Sequence, residues 1–283
     1  MDEAENRRTG AAEKESENWR AGEPENGRES VSFPDSPIPR FPDSFSEVPR
    51  LPDSSISLPT DSRPPKIGLF GGTFNPIHLG HLRSAEEVRE AFALDRIYFI
   101  PAAQPPHKSG RDLAPATHRL KMVELAVADN AYFLASAIEL ERPGTSYSID
   151  TIRYFLTALQ PASLLFIIGI DAFREFATWK DYSSIPNLSD LLVTSRPGSP
   201  TPAPDRFLPV ALQTLFWYDA KTNVYRHTSG HSLILHEIAG LDIAASTIRA
   251  KVRAGKSIRY LVHPAVETYI THHALYKQEG ASY

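Results

Sequence analysis

The 283-residue chain contains no cysteine and only two methionines. Without thiols it can build neither a disulfide framework nor a thiolate-ligated zinc or iron–sulfur site. No run of about 18 apolar residues occurs, and the N-terminus lacks the apolar core of a signal peptide, so neither a membrane span nor secretion is expected. A long basic run is also missing. The formal net charge is −4, from 30 basic and 34 acidic side chains, a poor footprint for nucleic acid. A soluble, cytoplasmic protein with no nucleic-acid or membrane partner is therefore the expectation, with its oligomeric state, homo-oligomer included, left open.

The charge is unevenly spread. Residues 1–65 hold 14 acidic and 8 basic side chains, a net of −6, and ten of the 24 prolines, whereas residues 66–283 hold 20 acidic and 22 basic, a net of +2. The first stretch repeats an apolar-Pro-Asp-Ser unit at Phe33–Ser36, Phe41–Ser44 and Leu51–Ser54. It has too little apolar surface to offset its ordering entropy and reads as a disordered leader. The repeats suit either a short docking motif or a low-complexity tail.

From Lys66 the texture changes. Ile67-Gly68-Leu69-Phe70 ends in Gly71-Gly72, and an amphipathic stretch follows from Leu79 to Leu94. Apolar runs then alternate with helical periods over 96–101, 117–129, 132–140, 148–159, 164–168, 171–179, 191–194 and 233–236. Such alternation implies βαβ units and a parallel sheet covered on both faces. The expected fold class is thus α/β, a doubly wound parallel sheet, with a small helical segment over 246–276 that breaks at Gly255 and before Pro264. Residues 197–231, opening on four prolines, are expected to form an insertion or long connection.

The most informative segment is GGTFNPIHLGHL, residues 71–82, between the first strand and the first helix. In an open α/β sheet the first βα turn is the usual phosphate cradle. Gly71 and Gly72 leave the backbone open to a ligand. His78 and His81, three apart, would project from one face of the opening helical turn, beside its exposed N–H groups, where a polyphosphate would sit. The bland alternative is that His78 caps the turn while His81 packs on the sheet. Neither G-x-G-x-x-G nor G-K-[ST] is present at this turn, which disfavours hydride transfer and P-loop hydrolysis.

A strand followed by G-x-F-x-P-x-H-x-G-H resembles the nucleotidyltransferases that share a histidine signature with class I aminoacyl-tRNA synthetases. The short chain and the lack of a lysine-rich KMSKS-type loop disfavour the synthetase branch; Lys121-Met122 lies in a helical period and reads as surface plus core. Further segments narrow the resemblance to nicotinate-nucleotide adenylyltransferase over residues 66–276. They are Pro105-Pro106-His107-Lys108, the run from Glu141 to Thr151, Ile168-Gly169-Ile170-Asp171-Ala172 with Trp179, and Ser195-Arg196-Pro197-Gly198.

The resemblance implies a Rossmann-like fold and adenylyl transfer from ATP to nicotinate mononucleotide, with Mg2+ carried on the ATP phosphates and no metal site of the protein's own. It implies His78 and His81 as catalytic donors, the backbone of Gly71, Gly72, Thr73 and Phe74 against ATP, and a mononucleotide site of His107, Lys108, Thr145, Tyr147, Asp171 and Trp179. The family carries I-S-S-T-x-I-R near the C-terminus; this chain has Ile243-Ala244-Ala245-Ser246-Thr247-Ile248-Arg249. Ser246 keeps a hydroxyl at the threonine position and Arg249 is retained, so both are assigned to ATP, whose affinity is expected to be weaker or altered. Simpler roles exist for several of these: Asp171 as the N-cap of a helix 172–179, Trp179 as core, Lys108 as a solvated loop charge and Ser246 as a cap. Competing functions are transfer to nicotinamide mononucleotide or phosphopantetheine, cytidylyl transfer to a polyol phosphate, and a non-catalytic nucleotide-binding regulator.

Overall fold

The computed structural model describes residues 63–105, 112–195 and 207–277. The expected leader lies outside them apart from residues 63–65, as do His107, Lys108 and the opening of the expected insertion. The strands are β1 (Lys66–Gly72), β2 (Arg96–Pro101), β3 (Phe133–Ala135), β4 (Ser163–Gly169), β5 (Asp190–Ser195), β6 (Phe216–Asp219), β7 (Val224–His227) and β8 (Ser232–Glu237). They form one sheet in the order β3-β2-β1-β4-β5-β8-β7-β6. All pairs from β3 to β8 are parallel, and β7 and β6 add an antiparallel hairpin at the far edge.

Both faces of the sheet are covered, as the continuous apolar strands require. The helices are α1 (Leu79–Phe92), α2 (Ala116–Val127), α3 (Ile138–Glu141), α4 (Ser148–Leu159), α5 (Ile170–Arg174), α6 (Ala245–Arg253) and α7 (Pro264–His272). In β4, Leu164 to Ile168 are all buried; alternate residues join two different cores. Leu164, Phe166 and Ile168 meet the apolar stripe of α4, Ile149, Ile152, Phe155 and Leu159. Leu165 and Ile167 share the opposite core with residues of α1, α2, α6 and α7. None of the helices among the described residues is long and apolar enough to cross a membrane.

The structure bears out the doubly wound parallel sheet and corrects it in three places. The run 132–140 is not one element: β3 ends at Ala135 and α3 follows. The helix expected up to Trp179 stops at Arg174, and a 3₁₀ turn over Phe176–Thr178 leads to Trp179 in extended conformation. The described part of the expected insertion contributes β6 and β7 to the sheet, joined by a turn with Asn223 in the left-handed region (φ 55°). Phe216 and Tyr225 of this hairpin reach the core, while Trp217 faces solvent.

Gly68 in β1 lies under side chains of β2, β4 and the connection after α1. A Cβ there would come within 2.9 Å of Leu94 Cδ1 and 3.0 Å of Ile97 Cγ1. Gly68→Ala is expected to lower the free energy of unfolding by roughly 1–3 kcal/mol through overpacking, which urea titration of the two proteins measures; equal midpoints would show that this packing has slack.

Candidate active site

The sheet order places β2 and β3 on one side of β1 and β4 on the other, so the winding reverses between β1 and β4. At such a switch point the loops leave in opposite directions and open a crevice at the carboxyl ends of the strands. A cleft of about 680 Å³ lies there, lined by the turn after β1, the start of α1, the β4–α5 junction and the start of α6.

The turn from Gly71 to Pro76 supplies the floor. Phe74 takes a left-handed backbone (φ 46°), and the Asn75–Pro76 peptide bond is cis. Gly72 is required by packing, since a Cβ would meet the Phe74 ring at 3.0 Å. Gly71 is different. Among the described residues its only neighbour within 4 Å of such a Cβ would be Phe166 at 3.9 Å, so these leave the residue's side-chain space open to the cleft. Gly169, at the end of β4, also lines the cleft, with no described residue within 4 Å of where its Cβ would be.

Asn75 ties this turn to distant parts of the chain. Its Nδ2 donates to Asp112 O (2.7 Å), and its Oδ1 accepts from Ala114 N (3.1 Å) and from the Tyr276 hydroxyl (2.8 Å). Burial pushes the Tyr276 phenol well above its usual range, against the charges of Arg249 and Arg119, so it stays the donor.

His78 is buried at the N-cap position of α1, and His81 stands at the third helical position. Their rings stack with centroids 3.7 Å apart, and His81 also meets the Phe74 ring edge-on at 5.1 Å. The His78 backbone N–H donates to His81 Nδ1 at 3.2 Å. A backbone N–H can only donate, so Nδ1 carries no proton, and neutral His81 must hold its proton on Nε2. Capping and cleft lining thus coincide: both rings line the cleft. Gly80 belongs to the same device, because a Cβ there would come within 3.0 Å of His78 Nδ1 and 3.3 Å of Leu241 O.

The opposite wall comes from α6. Its N-cap is Ala244, without a side-chain cap, so Ser246 is not the cap and stands exposed at the second helical position. The first-turn N–H groups of α6 are therefore left to other partners. Arg249 donates from Nη1 to Asn75 O at 2.9 Å, while its buried Nε has no hydrogen-bond partner among the described residues. Asp171 lines the cleft too, but as an exposed residue in the first turn of α5, paired to Arg174 at 3.0 Å; Gly169 is the N-cap.

The cleft therefore gathers Gly71, Gly72, Thr73, Phe74, His78, His81, Asp171, Ser246 and Arg249. Thr145, Tyr147 and Trp179 do not line it. Tyr147 precedes α4, and Trp179 packs edge-on to Phe166 and against Phe176. Lys180 brings these segments together, with its ammonium 4.6 Å from the Tyr147 ring centroid and 3.1 Å from Asp150 Oδ2. Beneath them, Ser146 Oγ accepts from the Ala103 and Gln104 amides at 3.0 and 3.4 Å. Glu139 is buried beside it; burial pushes its carboxyl up, against hydrogen bonds from Thr151 and Ser146. Sequence reasoning passed over Asn75, Gly169 and Tyr276, none of which stands out by residue type.

A doubly wound sheet with stacked signature histidines at its switch point defines a nucleotidyltransferase, and a cytidylyltransferase-like family model matches residues 69–251. The chain is 47% identical over 217 residues to the probable nicotinate-nucleotide adenylyltransferase of Syntrophotalea carbinolica, covering 77% of this chain and 100% of that protein. It is 46% identical over 215 residues to the one from Geobacter sulfurreducens, covering 76% and 100%. The solved structure of Plasmodium falciparum nicotinic acid mononucleotide adenylyltransferase complexed with NaAD matches with a TM-score of 0.57 at 16% identity, over 75% of this chain and 97% of that one. The chain belongs to the nicotinate-nucleotide adenylyltransferase family.

Because the fold does not need Gly71 bare, Gly71→Ala is expected to leave the unfolding free energy within about 1 kcal/mol of the original while raising the Michaelis constant for ATP at least several-fold. Unchanged kinetics would show that no ligand approaches this backbone.

Proposed function

We propose that this chain transfers the adenylyl group of ATP to nicotinate mononucleotide, yielding nicotinate adenine dinucleotide and pyrophosphate, a step in the synthesis of NAD. The observation that carries the residue assignments is the convergence of His81, Arg249 and the first turns of α1 and α6 on one cleft at the switch point.

In the reaction a phosphate oxygen of the mononucleotide bonds to the α-phosphorus of ATP as the bond from that phosphorus to the bridging oxygen breaks. The attacking phosphate is already anionic near neutral pH, so no general base is assigned. The cost lies in bringing two anions together and in the charge that grows on the departing pyrophosphate. Alignment and preorganised donors meet both demands.

His81 is placed for that task. Its Nδ1 is occupied by the His78 amide, so Nε2–H is the group it can offer to a phosphate oxygen. Its ring is held from one side by His78 and from another by Phe74. Arg249, anchored through Nη1 and with Nε unsatisfied, adds a second donor fixed by the turn it serves. The α6 amides and the Ser246 hydroxyl face the same space, whereas Ala244 and Ala245 bring no hydroxyl to it. Gly71 and Gly169 leave the backbone bare at both strand ends.

The chemistry of the donor set suits magnesium that arrives on the triphosphate. The described residues contain no cluster of three His, Asp or Glu side chains able to hold a metal ion. The carboxylates at the cleft are Asp171 and Asp112, exposed and each paired to an arginine. When bound, magnesium supplies positive charge to the phosphates. We assign His107, Lys108, Thr145, Tyr147 and Trp179 to the mononucleotide, with the indole as the flat surface for the pyridine ring.

Two measurements test these assignments in a pyrophosphate-release assay with ATP and nicotinate mononucleotide. His81→Ala should keep its fold and lose about 10²- to 10³-fold in kcat, roughly 3–4 kcal/mol; near-normal turnover removes His81 from the mechanism. Trp179→Ala should raise the Michaelis constant for the mononucleotide about tenfold, the loss of roughly 1–1.5 kcal/mol of ring contact, with little effect on that for ATP. An unchanged constant for the mononucleotide refutes the stacking role.

A further inference from the structure

Arg119 lies outside every role assigned so far. It is 1% exposed, on the buried stripe of α2 formed with Met122, Val123, Ala126 and Val127. Its guanidinium donates from Nε to Ala114 O at 2.9 Å, from Nη1 to Thr73 O at 2.8 Å and from Nη2 to Ala103 O at 3.1 Å. It forms no ion pair among the described residues. The Glu139 carboxylate acts on it only through space, and a buried cation without a direct ion pair is costly, so a leucine or methionine would fill the stripe at lower cost if packing were the only demand.

A neutral side chain cannot do what this fork does, which is to hold carbonyls of three separate segments at once. The first is the turn after β1. A trans peptide sets its C=O and N–H in opposite directions. With the Thr73 carbonyl drawn inward to Arg119, the Phe74 N–H of the same plane is turned the other way, in a turn whose Thr73 and Phe74 both line the cleft. Phe74 has φ 46°, a conformation disfavoured for a bulky residue that persists only where its surroundings over-determine it.

The second segment is the connection after β2. Ala103 is gripped at both ends of its backbone: its carbonyl accepts from Arg119, and its amide donates to Ser146 Oγ. Ser146 sits between Thr145 and Tyr147. One guanidinium therefore joins the turn on the ATP side to the segment on the mononucleotide side through bonds that touch neither ligand.

We propose that Arg119 is a positioning residue for adenylyl transfer, fixing the spacing of the two substrate loops through the carbonyls of Thr73 and Ala103. The proposal rests on the adenylyl-transfer reading given above. Its signature is a loss in turnover rather than in binding, because each loop keeps its own ligand contacts while their mutual alignment slackens. Misplacement by about 1 Å costs on the order of 10²-fold in rate.

The test uses the full-length chain and its Arg119→Met and Arg119→Lys variants, with kcat and both Michaelis constants from pyrophosphate release, and thermal unfolding in parallel. The expected result is an active wild type, cooperative unfolding of at least one variant, kcat lowered by about 10²-fold in Arg119→Met and at least several-fold in Arg119→Lys, and both Michaelis constants within about threefold of the original. A folded variant with kcat within about threefold of the wild type overturns the proposal, as does a loss carried mainly by a Michaelis constant. Loss of cooperative unfolding in both variants also overturns it, assigning Arg119 to the core alone. A wild type that releases no pyrophosphate overturns the functional reading itself, and with it this proposal.

Discussion

Two phosphate esters repel each other, and a protein that brings them together must surround them with hydrogen-bond donors while keeping carboxylates committed elsewhere. The cleft at the β1–β4 switch point meets that constraint with few charges. His78, His81, Arg249 and the uncapped first turn of α6 face it, and the carboxylates at its rim, Asp112 and Asp171, are each neutralised by an arginine. The net charge of the whole chain is −4, so local arrangement rather than bulk charge makes the cleft attractive to anions.

Donors are useful only if they are fixed before the ligands arrive. The structure fixes them by making one group serve two purposes. The His78 backbone N–H starts α1 and selects the tautomer of His81. Gly80 closes the helix against Leu241 and makes room for the His78 ring. Arg249 is steadied by the carbonyl of Asn75, while the side chain of Asn75 holds Asp112, Ala114 and Tyr276. The bonds of Asn75 and Arg249 cross between segments far apart in the chain, so the geometry of the cleft follows from the packing of the whole sheet.

Much of this was legible in the order of residues. A strand ending in Gly-Gly, with two histidines three apart after it, places a cleft, a bare backbone and a helix start without any coordinates, because turn chemistry and helical spacing are local. Helix α4 and strand β2 fall where their apolar periods put them. The roles that were not legible depend on long-range partners. Asp171 looked like a cap because it follows a strand; Gly169 takes that position, since α5 begins two residues earlier. The β6–β7 hairpin lies in the stretch that reads as an insertion or long connection because it opens on four prolines, and its four-residue strands, with Trp217 facing solvent, leave only a short apolar pattern. Arg119 does not stand out by residue type between His118 and Lys121. Its position on the stripe 119-122-123-126-127 was the available signal that this charge was inside.

The bond between the Tyr276 hydroxyl and Asn75 spans 201 positions of sequence. Contacts of that separation are slow to form, because a large loop must close before they give anything back. The turn that steadies Arg249 is therefore completed only when the far end of the fold docks against it, so the cleft takes its final shape late in folding.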